Sequence, residues 1–166
     1  MKVIFAQQDL EYLSDTSIFL AGPTPRNSKV PSWRPQVLSL LEKHNFNGTI
    51  LVPESEGWGV TGDYYSQIEW EDQALHLATV ILFWIPRKLE TMPGFTTNDE
   101  WGYWKKSGKV VLGVPNDAEK CKYQIHYAKK LRIPFANNLE ETVANSLTLL
   151  HNLEEIRVTD ICNSYI

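Results

Sequence analysis

Six consecutive apolar residues, Val80-Ile81-Leu82-Phe83-Trp84-Ile85, constrain this chain more than any other feature. The run does not alternate, so it is not a strand with one wet face. It is bounded by Thr79 and Pro86 and is far too short to span a bilayer. Strands of this kind are buried on both faces, and that environment belongs to parallel sheets covered by helices. The rest of the chain supplies the partners. Short apolar runs at 17–21, 49–52 and 109–114 read as strands, with a weak one at 133–136. Amphipathic stretches at 32–44, 63–78, 98–106, 117–131 and 139–157 read as helices. Strands alternating with helices imply right-handed crossovers and an α/β fold, a parallel sheet of about five strands with helices on both faces. A chain of 166 residues without repeat or linker suits one domain, 1–166.

Composition narrows the partners. The net charge is −4 and no Lys/Arg stripe is present, which argues against nucleic acid or an anionic membrane. The N-terminal segment turns polar at Gln7-Gln8-Asp9 and lacks the pattern of a signal peptide. Cys121 and Cys162 are far apart, form no disulfide framework and make a reducing cytoplasm the default location. Four histidines fall on separate helices, so no metal site is expected. Aromatic residues make up 11% of the chain, with six Trp, which points to a small molecule with a flat ring.

Ligands of parallel sheets bind beyond the carboxyl ends of the strands. Three such loops carry candidate residues. The first, Gly22-Pro23-Thr24-Pro25-Arg26-Asn27-Ser28, leads to Arg34 at a helix start; two arginines and a helix N-terminus suit a phosphate or carboxylate, and a plain exposed turn fits equally well. The second holds Trp58 between glycines and ends at Asp63, a helix cap, followed by Tyr64; Trp58 is either a ring-stacking tip or an ordinary surface Trp. On the following helix Tyr64, Ile68, Leu75 and Ala78 are spaced to face the core, and Glu71 lies on the same stripe. A carboxylate on an apolar face is costly unless paired or used. The third loop precedes Glu100, which with a helix start near Asn98 falls in the first helical turn. There the helix dipole favours an ionised carboxylate, and a stabilising Glu at a helix start explains it as well.

Together these segments resemble one family. Phe19-Leu20-Ala21-Gly22-Pro23 is similar to its opening strand and loop. Gln67-x-x-Trp70-Glu71 followed by Leu77 to Trp84 is similar to its helix and central strand. Gly94-Phe95-Thr96-Thr97-Asn98-Asp99-Glu100-Trp101-Gly102, then Ser107-Gly108-Lys109, is similar to its nucleophile segment. The family is the nucleoside 2-deoxyribosyltransferase-like group, and the match covers about residues 18–114.

The resemblance implies a flavodoxin-like sheet and cleavage of the N-glycosidic bond of 2′-deoxynucleosides or their 5′-monophosphates. Glu100 matches the nucleophile, which forms a covalent deoxyribosyl intermediate that passes to another base or to water. Glu71 matches the acidic group at the departing base, and Tyr64 and Trp58 are candidates to shape the base pocket. Gly22, Pro23, Arg26, Arg34, Asp63, Asn98 and Asp99 complete the candidate substrate site. No metal or organic cofactor is implied. Family members complete their sites across subunits, so a homo-oligomer is expected, with Tyr165 and Ile166 placed to reach a neighbour. One departure stands out: an Asp six residues before the nucleophile is replaced by Gly94, with Asn98 or Asp99 as compensating candidates. Two other readings remain. A phosphoribohydrolase of nucleoside monophosphates is loosely similar through Pro93-Gly94-x-Thr96-Thr97-x-x-Glu100, and a non-catalytic nucleotide-binding module is the third.

Overall fold

The computed structural model describes residues 1–11, 13–58 and 62–163, with 158–163 described by their backbone alone. Tyr165 and Ile166 therefore lie outside the described residues. Six parallel strands form one sheet: β1 (Lys2–Phe5), β2 (Ser17–Ala21), β3 (Thr49–Val52), β4 (Val80–Trp84), β5 (Val110–Gly113) and β6 (Phe135–Ala136). Five helices connect or follow them: α1 (Arg34–Lys43), α2 (Tyr64–Leu77), α3 (Phe95–Trp104), α4 (Lys122–Leu131) and α5 (Leu139–Asn163).

The order across the sheet is β1-β3-β2-β4-β5-β6. Without β1 this is the flavodoxin-like order, in which the chain moves to one edge, returns past its first strand and winds the other way. The strand β1 is an addition to the strands expected from the sequence. It pairs with β3 through Lys2 to Phe5, and only Ile4 is fully buried. An edge strand of four residues with one core position carries almost no hydrophobic period, which is why the pattern does not announce it.

Every residue of β2, β3, β4 and β5 is buried. Phe19, Ala21, Leu51, Ile81 and Phe83 face α2, α3 and α4, where they meet Trp70, Ala74, Trp101 and Ala128. Ile18, Leu20, Ile50, Val52, Val80 and Leu82 face α1 and α5, where they meet Val37, Leu41, Val143 and Leu150. Two covered faces account for the unbroken apolar run at 80–85. No described helix is long and apolar enough to cross a membrane.

Two tryptophans set the helices that carry the candidate carboxylates. Trp70 packs against Phe19 with ring centroids 6.4 Å apart, and its indole N–H donates to the Gln8 carbonyl at 2.8 Å. Trp101 meets Phe83 edge-on at 5.4 Å and is 1% exposed. Glu71 follows the first anchor and Glu100 precedes the second, so the register of each carboxylate is fixed by its neighbour's burial.

Candidate active site

The chain reverses direction between β2 and β4, and the loops leaving those strands diverge there into a crevice. Two glycines shape its floor. At Gly22, φ is +147°, and a Cβ would sit 2.0 Å from the Trp84 carbonyl oxygen, so the loop after β2 crosses the end of β4 with no room for a side chain. At Gly94, φ is +63°, and a Cβ would lie 3.1 Å from Cβ of Pro23. Here the loops after β2 and β4 touch. Pro23 is held in turn by the Trp33 indole N–H, which donates to its carbonyl at 3.0 Å.

The resulting cleft, of about 220 Å³, is lined by Gly22, Pro23, Thr24, Arg26, Arg34, Pro53, Tyr64, Gln67, Ile68, Glu71, Pro93, Gly94, Phe95, Thr96, Thr97 and Glu100. That is somewhat below the roughly 300–1,000 Å³ of an enclosed small-molecule pocket, and the cleft is open at its rim. Both candidate carboxylates therefore enter one space from separate helices. With them come Gly22, Pro23, Arg26, Arg34 and Tyr64. Trp58, Asp63, Asn98 and Asp99 do not line it. Trp58 packs edge-on against Phe5 at 5.7 Å and faces a neighbouring groove that shares only Arg26 with the cleft. Asp63 caps α2, accepting from the Ser66 backbone N–H at 2.7 Å and its hydroxyl at 2.9 Å, and these bonds hold its carboxyl below the usual range. Asn98 accepts from Arg87 at 2.6 Å and from the Gln124 amide at 2.7 Å on the other side of α3. Asp99 is exposed. The hydroxyl-bearing residues beside Gly94 in the cleft are Thr96 and Thr97.

The structure revises two local expectations. Tyr64 and Ile68 are 61% and 40% exposed and rim the cleft instead of packing in the core; the buried face of α2 is Gln67, Trp70, Ala74 and Leu75. The start of α2 overhangs the loops, not the sheet, so its stripe turns from core to cleft and carries Glu71 with it. Glu100 is in the second turn of α3, not the first, because the helix begins at Phe95. The dipole effect fades within the first turn, and burial takes over. Burial, then the neighbouring Glu71, pushes the Glu100 carboxyl up to about 8; Arg34 opposes this and Asp99 adds to it. Burial also raises Glu71, against a 2.8 Å hydrogen bond from the Gln67 amide and the charge of Arg34. With the Glu100 carboxyl pushed up to about 8, the cleft retains a proton near neutrality.

The two arginines behave differently. Arg34 is 1% exposed, and its guanidinium donates to the Leu20 carbonyl at 3.1 Å, Gly22 carbonyl at 2.9 Å, Thr24 hydroxyl at 3.1 Å and Glu54 carboxylate at 2.5 Å. Four of its five N–H donors are thus used by the protein. Burial lowers its pKa against the pull of Glu54, Glu100 and Glu71, and the group stays charged. Arg26 is exposed at the mouth, 5.5 Å from the centre of the Phe95 ring. Among the described residues no side chain forms a hydrogen bond or ion pair with its guanidinium.

Sequence reasoning passes over Gln67 and Glu54. Gln67 lies one helical turn before Glu71, a spacing at which side chains meet, and that signal was available. Glu54 had none, since its partner is twenty residues away on another element.

Among the described residues, no group of three or more His, Cys, Asp or Glu is placed to hold a metal ion. A comparison with curated proteins finds none that matches. A family model described as nucleoside 2-deoxyribosyltransferase like matches residues 15–118, from just before β2 to the loop after β5. That span is well over half of the chain and contains every residue lining the cleft. With a flavodoxin-like sheet and paired carboxylates at its switch point, the chain belongs to the nucleoside 2-deoxyribosyltransferase-like family.

Proposed function

We propose that this protein cleaves the N-glycosidic bond of 2′-deoxynucleosides or 2′-deoxynucleoside 5′-monophosphates through a covalent intermediate on Glu100. The observation that carries the reading is the convergence of Glu71 and Glu100, from two helices, on one small cleft. Glycosidic cleavage passes through an oxocarbenium-like transition state and needs two carboxyl groups in opposite protonation states. A pair that retains one proton near neutrality meets that need.

The first half of the reaction requires that substrate binding shift the retained proton from Glu100 to Glu71, which frees the Glu100 carboxylate to react. A Glu100 carboxylate oxygen bonds to the anomeric carbon as the bond from that carbon to the base nitrogen breaks. The bonding pair leaves with the base, and Glu71 supplies the proton that the base takes up. In the second half a water oxygen, or a nitrogen of another base, attacks the same carbon. The ester bond to Glu100 breaks, its carboxylate is regenerated, and the proton released by the attacking group returns to Glu71. Gln67 fixes one Glu71 oxygen and so orients the acid. Tyr64, Ile68 and Phe95 are exposed at the rim and suit a flat base. We assign a 5′-phosphate, where the substrate carries one, to Arg26, the arginine whose guanidinium lies beside the Phe95 ring and forms no hydrogen bond or ion pair with a described side chain. The open apolar rim is also where a second copy of the chain would close the cleft, in keeping with the homo-oligomer expected from the family.

The test is to incubate the protein with deoxynucleosides, deoxynucleotides and their ribo counterparts, with and without a free acceptor base, and to separate the products. Base release from deoxy substrates is expected, together with a trapped adduct one deoxyribosyl group heavier than the protein. Glu100→Ala should remove both while leaving the circular dichroism spectrum unchanged. Turnover that survives Glu100→Ala refutes the assignment, and release confined to ribonucleotides identifies a phosphoribohydrolase instead.

A further inference from the structure

Arg34 and Glu54 form an ion pair that is 1% and 0% exposed, beside two carboxyl groups that must hold one proton between them. A buried pair of this kind is a poor device for stability, because apolar residues of similar volume serve as well or better. This one is also incompletely satisfied: Glu54 Oε2 is buried without a hydrogen-bond partner. Glu54 does not line the cleft, whereas Arg34 does. The pair is tied to the cleft wall on several sides. Ser32 donates to Glu54 at 3.1 Å, and the Arg34 guanidinium reaches Leu20, Gly22 and Thr24.

The charges in and around this space can be named element by element. Arg34 comes from α1, Glu54 from the end of β3, Glu71 from α2 and Glu100 with Asp99 from α3, while Arg26 stands at the mouth on the loop after β2. A lone guanidinium beside Glu71 and Glu100 would favour ionisation of both. Two ionised carboxylates leave no acid for the departing base.

We propose that Glu54 is a positioning residue which neutralises Arg34, so that the guanidinium can hold the loop after β2 without stripping the shared proton from Glu71 and Glu100. This rests on the reading of those two carboxyls as the reacting pair. Glu54 acts through Arg34 and touches no reacting atom. The arrangement gives Arg34 a structural task at the floor of the cleft and cancels the electrostatic side effect of that task.

The test titrates free protein without substrate, so its outcome is separate from the question of which bond is cleaved. Infrared difference spectra follow the protonated carboxyl band, assigned by its loss in Glu100→Gln. Two variants are compared with the wild type. Glu54→Gln keeps the shape and the hydrogen bonds but leaves Arg34 unbalanced. Arg34→Met with Glu54→Leu removes both charges together. An unbalanced opposite charge lowers a neighbouring carboxyl by about one to three units, so the band in Glu54→Gln should disappear at least about one unit lower than in the wild type. In the double variant it should stay within about a unit of the wild type and move upward, since no net charge has changed. An unmoved titration in Glu54→Gln overturns the proposal. So does a double variant that shifts downward as far as Glu54→Gln, because that would mark a packing effect. Should Glu54→Gln fail to fold, Glu54→Leu in place of it carries the same charge change and the same expected shift.

Discussion

A carboxyl that folding forces to stay protonated lowers stability wherever the unfolded chain would ionise, and Glu100 offers a direct measure of this. Its folded-state pKa is about 8, against 4.5 when unperturbed. Below the lower value the group is neutral in both states and costs nothing. Between the two values the native protein binds a proton that the unfolded chain releases, so stability falls as pH rises, and above the upper value the loss is complete. At about 1.4 kcal/mol per unit the interval corresponds to roughly 5 kcal/mol as a ceiling. The cleft is open at its rim, so water entering it reduces the penalty, and we expect about 2–4 kcal/mol.

The perturbation is Glu100→Gln, which keeps the shape and neutrality of the protonated acid at every pH. The assay is urea unfolding of both proteins from about pH 5 to about pH 9, followed by tryptophan fluorescence. With a slope of about 1–3 kcal/mol per molar urea, the variant's midpoint should exceed that of the wild type by roughly 1–4 M at the alkaline end and by only a small fraction of that at the acid end. A constant difference across the range would mean that the gain comes from packing and not from protonation. No difference at the alkaline end would mean that Glu100 ionises freely in the folded protein, and the account of a buried, proton-sharing pair would fail.

Further outcomes follow from the same geometry. Base release should follow a bell in pH whose alkaline limb falls near about 8, where the proton retained on the Glu100 carboxyl in the free protein is lost; Glu71→Gln, measured as kcat for a deoxynucleoside, should cost about a hundred- to ten-thousandfold. Arg26→Ala should raise KM for deoxynucleoside 5′-monophosphates by about ten- to a hundredfold, the worth of a charged hydrogen bond, and leave KM for unphosphorylated nucleosides unchanged. Gly22→Ala should cost more than about 3 kcal/mol through the clash with the Trp84 carbonyl, whereas Gly94→Ala, which meets a left-handed backbone and a tight but not forbidden contact with Pro23, should cost less, about 1–2 kcal/mol in chemical denaturation.

The parts of this protein that are legible in its sequence are those whose environment is uniform along the chain. The strand at 80–85 is buried on both faces for its whole length, so its composition alone declares it. Glu71 is legible by counting, because its helix keeps one period from Tyr64 to Ala78 even where the face it marks passes from core to cleft. The start of α3 is different. Asn98 has the chemistry of a cap, but the turn is made by Gly94 at φ +63°, with no side chain capping the helix. Only a left-handed backbone reveals that, and the shift moves Glu100 beyond reach of the dipole into a site governed by burial.

The pairing of Arg34 with Glu54 lies further from what sequence can declare. It exists because β2 and β3 are neighbours in register, Phe19 beside Leu51, so that the residue just past β3 comes abreast of the guanidinium that caps the Leu20 carbonyl. Strand adjacency is a property of the topology and not of any local window. It also decides between the two arginines. In the sequence both are equal candidates for an anion; in the fold Arg34 has spent four donors on the protein, and Arg26 has spent none on any described side chain. Under the proposed function the anion-binding role falls to the exposed arginine, while the buried one, balanced by Glu54, holds the loop after β2.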